Sequence, residues 1–399
     1  MTATGYKPHC RQAASSGRKL HNPPHPRILE SVIRFADFLG NAATVQQLRR
    51  AVANGRLPHS ILLSGPAGSG KYTLSLMITM ALLCELQPRE GDLADFCGTC
   101  RNCTRIAESF DLPTLVEAAV SAREDLRETD KKETRVLIQT HPDVLVLPPD
   151  PPQLLVKLGQ VRTLINGIYS FPNEAKRRVY LFPSAAFMKE AANSLLKVLE
   201  EPPSYAHIIL MAEHPGELLP TIRSRCAPVR LGALSSPEIE QLLAERKPEI
   251  KPAQRALVAR LAQGAAGRAL GYDLEGYLAA RADAMVLLRS ATFESEHTDL
   301  FKTTETYRAG ADGQQKTQAM LSALASLLED LLLLRGGATD RIRNIDILST
   351  LQTLSDSVTF PWIENAVRGL DNVITGMRRN LLRSLSLDAF AEQMAEPRR

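Results

Sequence analysis

The run Gly65-Pro66-Ala67-Gly68-Ser69-Gly70-Lys71 follows an apolar segment, Ile61-Leu62-Leu63, and precedes an apolar helical stretch from Leu74 to Leu83. Strand, glycine-rich turn and helix in that order constrain the fold more than any other part of the chain. Glycines let backbone N–H groups converge on phosphate oxygens, and the lysine reaches the outer phosphates. Beyond the turn the expected chemistry is missing. The next position should carry a Ser or Thr hydroxyl for Mg²⁺ and holds Tyr72 instead. Thr73 offers a hydroxyl one residue on, swung by about 100° around the helix. The later apolar run Val179-Tyr-Leu-Phe182 should end in carboxylates for the metal and the attacking water. It continues as Pro183-Ser184-Ala185-Ala186. Gly65, Gly68, Ser69, Gly70, Lys71 and Thr73 are therefore candidate ATP- or ADP-binding residues, with hydrolysis not expected. An empty relic of such a turn is the competing reading.

At 399 residues the chain exceeds one hydrophobic core. Strand signals at Val144–Leu147, Val179–Phe182 and Ile208–Met211 alternate with helical stretches. That alternation predicts an α/β domain with a mainly parallel sheet and helices on both faces. The expected organisation is a flexible tail over 1–30, the α/β domain over 31–232, a helical lid over 233–283 and an all-α domain over 284–399. A charged stretch over 110–140 reads as a solvated helical insertion. Ser236-Pro237-Glu238 reads as a helix start. Leu321, Leu324, Leu327, Leu328, Leu331 and Leu332 form a stripe at helical spacing, expected as core or helix–helix interface.

A net charge of +4 and a single Trp362 give no sign of a dedicated nucleic-acid reader. The most apolar run, Met320 to Leu334, is interrupted by Ser322, Ser326, Glu329 and Asp330, so no membrane span is expected. The N-terminus lacks a signal-peptide hydrophobic segment, and a reducing cytoplasm is the expected location. Cysteines are then read as metal ligands before disulfides. Cys97-Gly-Thr-Cys100-Arg-Asn-Cys103 supplies two overlapping C-x-x-C hooks, and Cys84 ends the preceding helix. Four thiolates can close a tetrahedral structural Zn²⁺ site. Reduced, unliganded thiols are the alternative.

The segment from Met188 to Pro203 predicts an amphipathic helix stopped by a double proline, with Met188, Ala191, Leu195 and Leu199 on one side. Glu200 and Glu201 stand at its C-terminal end, where the helix dipole disfavours negative charge. They mark either a contact with a partner or neighbouring element, or ordinary solvated acids. Arg225, in Pro220-Thr-Ile-Arg-Ser224-Arg225-Cys226, is of the type that can enter a neighbour's nucleotide site, although most arginines are surface cations.

Together these motifs resemble the bacterial clamp-loader branch of the AAA+ ATPases. The carrying residues are Arg56-Leu-Pro-His59, the cysteine knuckle, His141-Pro-Asp143, Ala191 to Pro203 and Leu219 to Cys226. The resemblance covers about residues 35–275; the C-terminal third is similar only in being a helical, collar-like segment. It implies a P-loop AAA+ domain, a helical lid and an all-α collar. Within that branch the departures resemble the delta-prime family of DNA polymerase III, not the motor subunits. The family's Walker B acids would fall on Pro183 and Ser184, its sensor-1 hydroxyl near Ala212 and its sensor-2 arginine on Arg268. The finger position, Arg225, is intact. The implied assembly is a hetero-pentameric ring with gamma/tau motor subunits and a delta subunit, loading a sliding clamp onto primed DNA. Two alternatives stand beside it, an active gamma/tau-like ATPase and a zinc-containing DNA-binding or regulatory module.

Overall fold

The computed structural model describes residues 34–292, 303, 311–378 and 383–395; the expected tail over 1–30 lies outside them. The strands in chain order are β1 (Ser60–Ser64), β2 (Arg89–Glu90), β3 (Leu93–Ala94), β4 (Ile138–His141), β5 (Val144–Val146), β6 (Arg178–Phe182), β7 (Ala206–Ala212) and β8 (Ala227–Arg230). Six of them form one sheet in the order β4-β5-β6-β7-β1-β8, and β2 and β3 form a separate hairpin. Within the six, only β4 runs antiparallel to its neighbour. The mainly parallel α/β class is thus the one observed, with helical regions after it.

Every residue of β1, β6 and β7 is buried, which explains why these strands read as unbroken apolar runs. β4 and β8 are edge strands with partly exposed residues, so neither shows such a run. Leu62 of β1 joins Tyr180, Phe182, Ile208 and Leu210 in a core beneath the helices Leu158–Ile168 and Lys189–Glu200. Its neighbours Ile61 and Leu63 face the other way, toward the side covered by the helix Lys71–Leu83 with its buried Leu74, Met77 and Met80. Ser64 pairs with Ala212, and Phe182 pairs with Leu210. The C-terminal ends of β6, β7 and β1 therefore stand side by side, and the loops leaving them share one edge of the sheet.

The charged stretch contains the helices Leu112–Glu124 and Glu128–Glu133, the first with no buried residue. The helix start near 236 is one residue earlier than expected: Ser235 is the cap, and it exchanges bonds with Glu238 in a capping box. The three short helices Ser236–Arg246, Pro252–Leu261 and Ala266–Leu270 share a small core of Ile239, Leu243, Val258, Ala259, Ala262 and Ala269. The expected division after residue 283 falls inside one continuous helix, Leu274–Thr292. Leu274 at its start packs with the small helical core, and Tyr277 and Ala280 onward pack with the C-terminal core, so packing changes partners within the first turns of that helix.

In the C-terminal core Leu321, Leu324, Leu327, Leu328 and Leu331 are buried, as the stripe predicts, while Leu332 is 45% exposed. The stripe is one position too wide, because adjacent residues diverge by about 100° around the axis. The helix Lys316–Arg335 is long and apolar enough by composition to cross a membrane, and its buried leucines belong to this core. Buried Asp330 accepts the backbone N–H groups of Arg343 and Asn344 and the Asn344 amide. The Asn344 carbonyl in turn accepts from Tyr277 and Arg281, tying two helices to one turn.

His59 and His207 stack at the other end of the β1–β7 pair, with ring centroids 5.1 Å apart. His207 donates to the Pro58 carbonyl, and burial, with smaller contributions from His59 and Arg177, lowers its pKa to about 4. Between an ordinary histidine value of about 6.5 and that figure the unfolded chain binds the extra proton. The contribution of His207 is fully present above about pH 6.5 and is lost as pH falls toward 4, a change of roughly 2–4 kcal/mol. Chemical denaturation across this range should show the decline, and His207→Gln should flatten it.

Candidate functional site

The glycine turn connects β1 to the helix Lys71–Leu83, with Gly70 as the residue before the first helical turn. Gly68 and Gly70 adopt left-handed backbone angles, φ 77° and 83°. A Cβ on Gly68 would come within 2.8 Å of the Arg268 nitrogen, and one on Gly70 within 2.9 Å of the Phe38 ring. Both positions therefore need glycine for conformation and for space. The lid meets the turn directly, because the Gly267 N–H donates to the Gly68 carbonyl at 2.9 Å. Lys71 Nζ donates to the Gly65 and Pro66 carbonyls at 2.7 and 2.9 Å.

A cavity of about 410 Å³ opens beside the turn, and Gly68, Gly70, Lys71 and Thr73 line it. The loop after β6 contributes Pro183, Ser184 and Ala185, so no carboxylate comes from that strand. The Tyr72 phenol donates to the Ser109 carbonyl at 2.8 Å, and burial raises its pKa. It therefore does not replace the missing metal-binding hydroxyl. The Ser69 hydroxyl is buried without a hydrogen-bond partner. Neither Ser69 nor Gly65 lines the cavity, and the donors that do, the turn's glycines and Lys71, suit an anion but offer little to Mg²⁺ at the usual position.

Two acids enter from an unexpected direction. Glu213 and Glu217 follow β7, the strand paired with β1, and both line the cavity. Burial lowers the Lys71 pKa, and the two carboxylates act in the opposite sense. Glu217 also accepts the His214 and Glu213 N–H groups at 2.8 and 3.4 Å, closing a short turn on itself. Arg268 brings its backbone against Gly68, but its side chain is not part of the cavity lining.

The cysteine knuckle is built at the far end of the same helix. Cys84 ends it, Gly98 takes the left-handed turn at φ 75°, and Cys100 precedes the helix Arg101–Ala107 that carries Cys103. The four sulfurs of Cys84, Cys97, Cys100 and Cys103 lie within 4.8 Å of one another, with Cys97 and Cys103 at 4.0 Å. A tetrahedron of Zn–S bonds near 2.3 Å has edges of about 3.8 Å, so the cluster could hold a metal ion. Cys97 Sγ accepts N–H groups from Thr99 and Cys100, and Cys84 Sγ accepts one from Cys97. Burial opposes ionisation of Cys97, but those donors outweigh it and bring the thiol to about 6.

The motif His141-Pro-Asp143 secures this knuckle. Buried His141 accepts the Asp143 N–H at Nδ1 and presents Nε2–H to Asn102 Oδ1, while Asn102 donates to the Leu83 carbonyl. Asp143 accepts N–H groups from Asn173, Glu174 and Ala175 and pairs with Arg178. Burial would raise the Asp143 pKa, and these donors draw it below the ordinary range.

Arg225 lies beyond the short helix Pro220–Arg223, anchored by buried Ile222 and Cys226, with its own side chain 33% exposed. Its Nε donates to Glu200 Oε1 at 2.8 Å and its Nη1 to the Thr221 carbonyl at 2.8 Å.

The family model described as "DNA polymerase III, delta subunit" matches residues 40–235. The chain is 27% identical over 301 residues to DNA polymerase III subunit tau of Escherichia coli, covering 74% of this chain and 36% of that protein. It is 32% identical over 169 residues to subunit delta' of Pseudomonas aeruginosa, covering 42% and 41%. Against subunit delta' of E. coli it is 26% identical over 337 residues, covering 82% and 87%. The first two matches span only about two fifths or less of those relatives' lengths. The chain is thus similar to the tau and delta' subunits of DNA polymerase III.

The informative residues here are those the sequence does not flag. Glu213 and Glu217 carry no motif, and only the β1–β7 pairing brings them to the cavity. An acid directly after an apolar strand is the one available signal. The mismatched Glu200 turns out to contact a neighbouring element, Arg225. Gly267 is equally silent in sequence and closes the lid onto Gly68.

Cobalt(II) added to the reduced chain should give the thiolate charge-transfer bands of a tetrahedral sulfur site and saturate at a single equivalent. Cys103→Ser should weaken that binding, and an octahedral spectrum would count against a closed four-cysteine site.

Proposed function

We propose that this chain is a non-hydrolysing, stator-like clamp-loader subunit of the delta-prime type. In this reading it sits in a cytoplasmic hetero-pentameric ring with gamma/tau motor subunits and a delta subunit. It offers Arg225 in trans to a neighbouring motor's ATP and assists loading of the sliding clamp onto primed DNA. The observation that carries the reading is an asymmetry between two sites. β6 delivers Pro183 and Ser184 where an ATPase needs acids, and the Tyr72 phenol is engaged by Ser109. Arg225, in contrast, is ordered on a partly exposed corner.

The chemistry follows from charge. During phosphoryl transfer negative charge spreads over the γ-phosphoryl oxygens, and a positioned guanidinium stabilises it. Arg225 supplies such a cation to a site outside its own chain. The cradle supports binding of ADP or ATP through Gly65, Gly68, Ser69, Gly70 and Lys71, with Thr73 at its margin. Cys84, Cys97, Cys100 and Cys103 would hold Zn²⁺, which when bound supplies a structural cross-link between two helices. That cross-link stiffens the platform bearing the insertion.

One observation favours a second reading, an active ATPase: Glu213 and Glu217 reach the cavity from β7. Glu217 is already engaged by its own turn, which leaves Glu213 as the candidate ligand or base. Phosphate release separates the two. The isolated chain is expected to release none above background from ATP. Turnover abolished by both Lys71→Ala and Glu213→Gln would establish the second reading. In the reconstituted loader, Arg225→Ala should lower DNA-stimulated ATPase by about tenfold while assembly by gel filtration persists. Undiminished turnover would refute the finger.

A further inference from the structure

Glu200 ends the helix Lys189–Glu200, and Arg225 follows the helix Pro220–Arg223. The two side chains meet although 25 residues separate them. We propose that Glu200 is a positioning residue that presets the Arg225 guanidinium for a phosphate on an adjacent subunit. This inference rests on the finger reading above and adds a second residue to it.

The geometry is specific. Arg225 Nε donates to Glu200 Oε1 at 2.8 Å, and Nη2 lies 2.5 Å from the same oxygen. Nη1 donates to the Thr221 carbonyl at 2.8 Å and lies 3.3 Å from Ser224 Oγ. A guanidinium carries five N–H donors in a rigid plane. Nε and Nη1 make three hydrogen bonds into this chain, and Nη2, held beside Glu200 as an ion pair, keeps its N–H donors for an outside acceptor. The Ser224 contact is the longest of the set and is the one most easily exchanged for a phosphate oxygen.

Both halves of the pair stand on ordered elements. Leu195, Val198 and Leu199 bury the helix that ends at Glu200, and Ile222 and Cys226 bury the turn that carries Arg225. A carboxylate at a helix C-terminus meets the negative end of the dipole, and the guanidinium offsets that repulsion. A free arginine samples many rotamers, and fixing them on binding opposes complex formation. Here the ordering precedes the encounter. An exposed pair of this kind adds little to folding stability, so its effect is expected in turnover and not in melting.

The test uses the full chain in a loader reconstituted with the motor and delta subunits of its own organism. Glu200→Ala is expected to lower kcat for DNA-stimulated ATP hydrolysis about threefold, with KM for ATP and the chain's thermal midpoint unmoved. Glu200→Gln keeps an acceptor oxygen and should recover part of the loss. The Glu200→Ala, Arg225→Ala double variant should match Arg225→Ala alone, because Glu200 acts through Arg225. Losses that multiply in the double variant would overturn the positioning role. A loader that needs Arg225 but ignores Glu200→Ala would overturn it and leave the finger standing. Indifference to Arg225→Ala would remove both.

Discussion

Parallel pairing of β1 with β7 on one side and β8 on the other is the constraint from which the rest follows. β1 is buried at every position, so its register cannot slip without exposing one apolar set or another. That register places Ser64 level with Ala212, and the β6–β7 register sets Phe182 beside Leu210. Three loops consequently open on one edge: the glycine turn, the Pro183 loop and the Glu213 loop. Much of the cavity's chemistry is decided by what these three loops carry. The glycine turn carries backbone donors, the second loop carries nothing ionisable, and the third carries two acids.

The cavity and the arginine corner are built to different standards. Around the cavity, Lys71 bonds to its own turn and Tyr72 to Ser109, so these polar side chains are already engaged. The lid is held to the turn by a backbone bond from Gly267 to Gly68, which requires no ligand between them. At the corner, by contrast, the guanidinium is gathered by Glu200 and Thr221 and still keeps part of its surface open.

The knuckle shows how a buried polar cluster is kept in place. His141, Asn102 and Asp143 are all buried, and each finds partners on a different element. They connect β4, β5, the knuckle helix and the segment before β6. Arg49 performs a similar service from the helix Ala42–Ala53, donating to the Ala94 carbonyl and pairing with Glu90 and Asp95. A buried polar residue left unpaired is costly, so these residues specify one arrangement of the chain around the cysteines.

Sequence by itself determined whatever depends on short-range stereochemistry. Gly68 and Gly70 announce left-handed backbone, Cys97, Cys100 and Cys103 announce a knuckle, and unbroken apolar runs announce β1, β6 and β7 as interior strands. Each signal is contained within a few consecutive residues, where sterics and spacing leave few options. Tertiary structure decided what depends on which segments become neighbours. The entry of Glu213 and Glu217 into the cavity, the choice of Arg225 as partner for Glu200, and the docking of Gly267 on Gly68 are of this kind. So are the edge strands β4 and β8, the lid boundary inside the helix Leu274–Thr292, and the outward turn of Leu332. The physical reason is that a local pattern states what a residue can do, whereas long-range pairing states what it is placed beside.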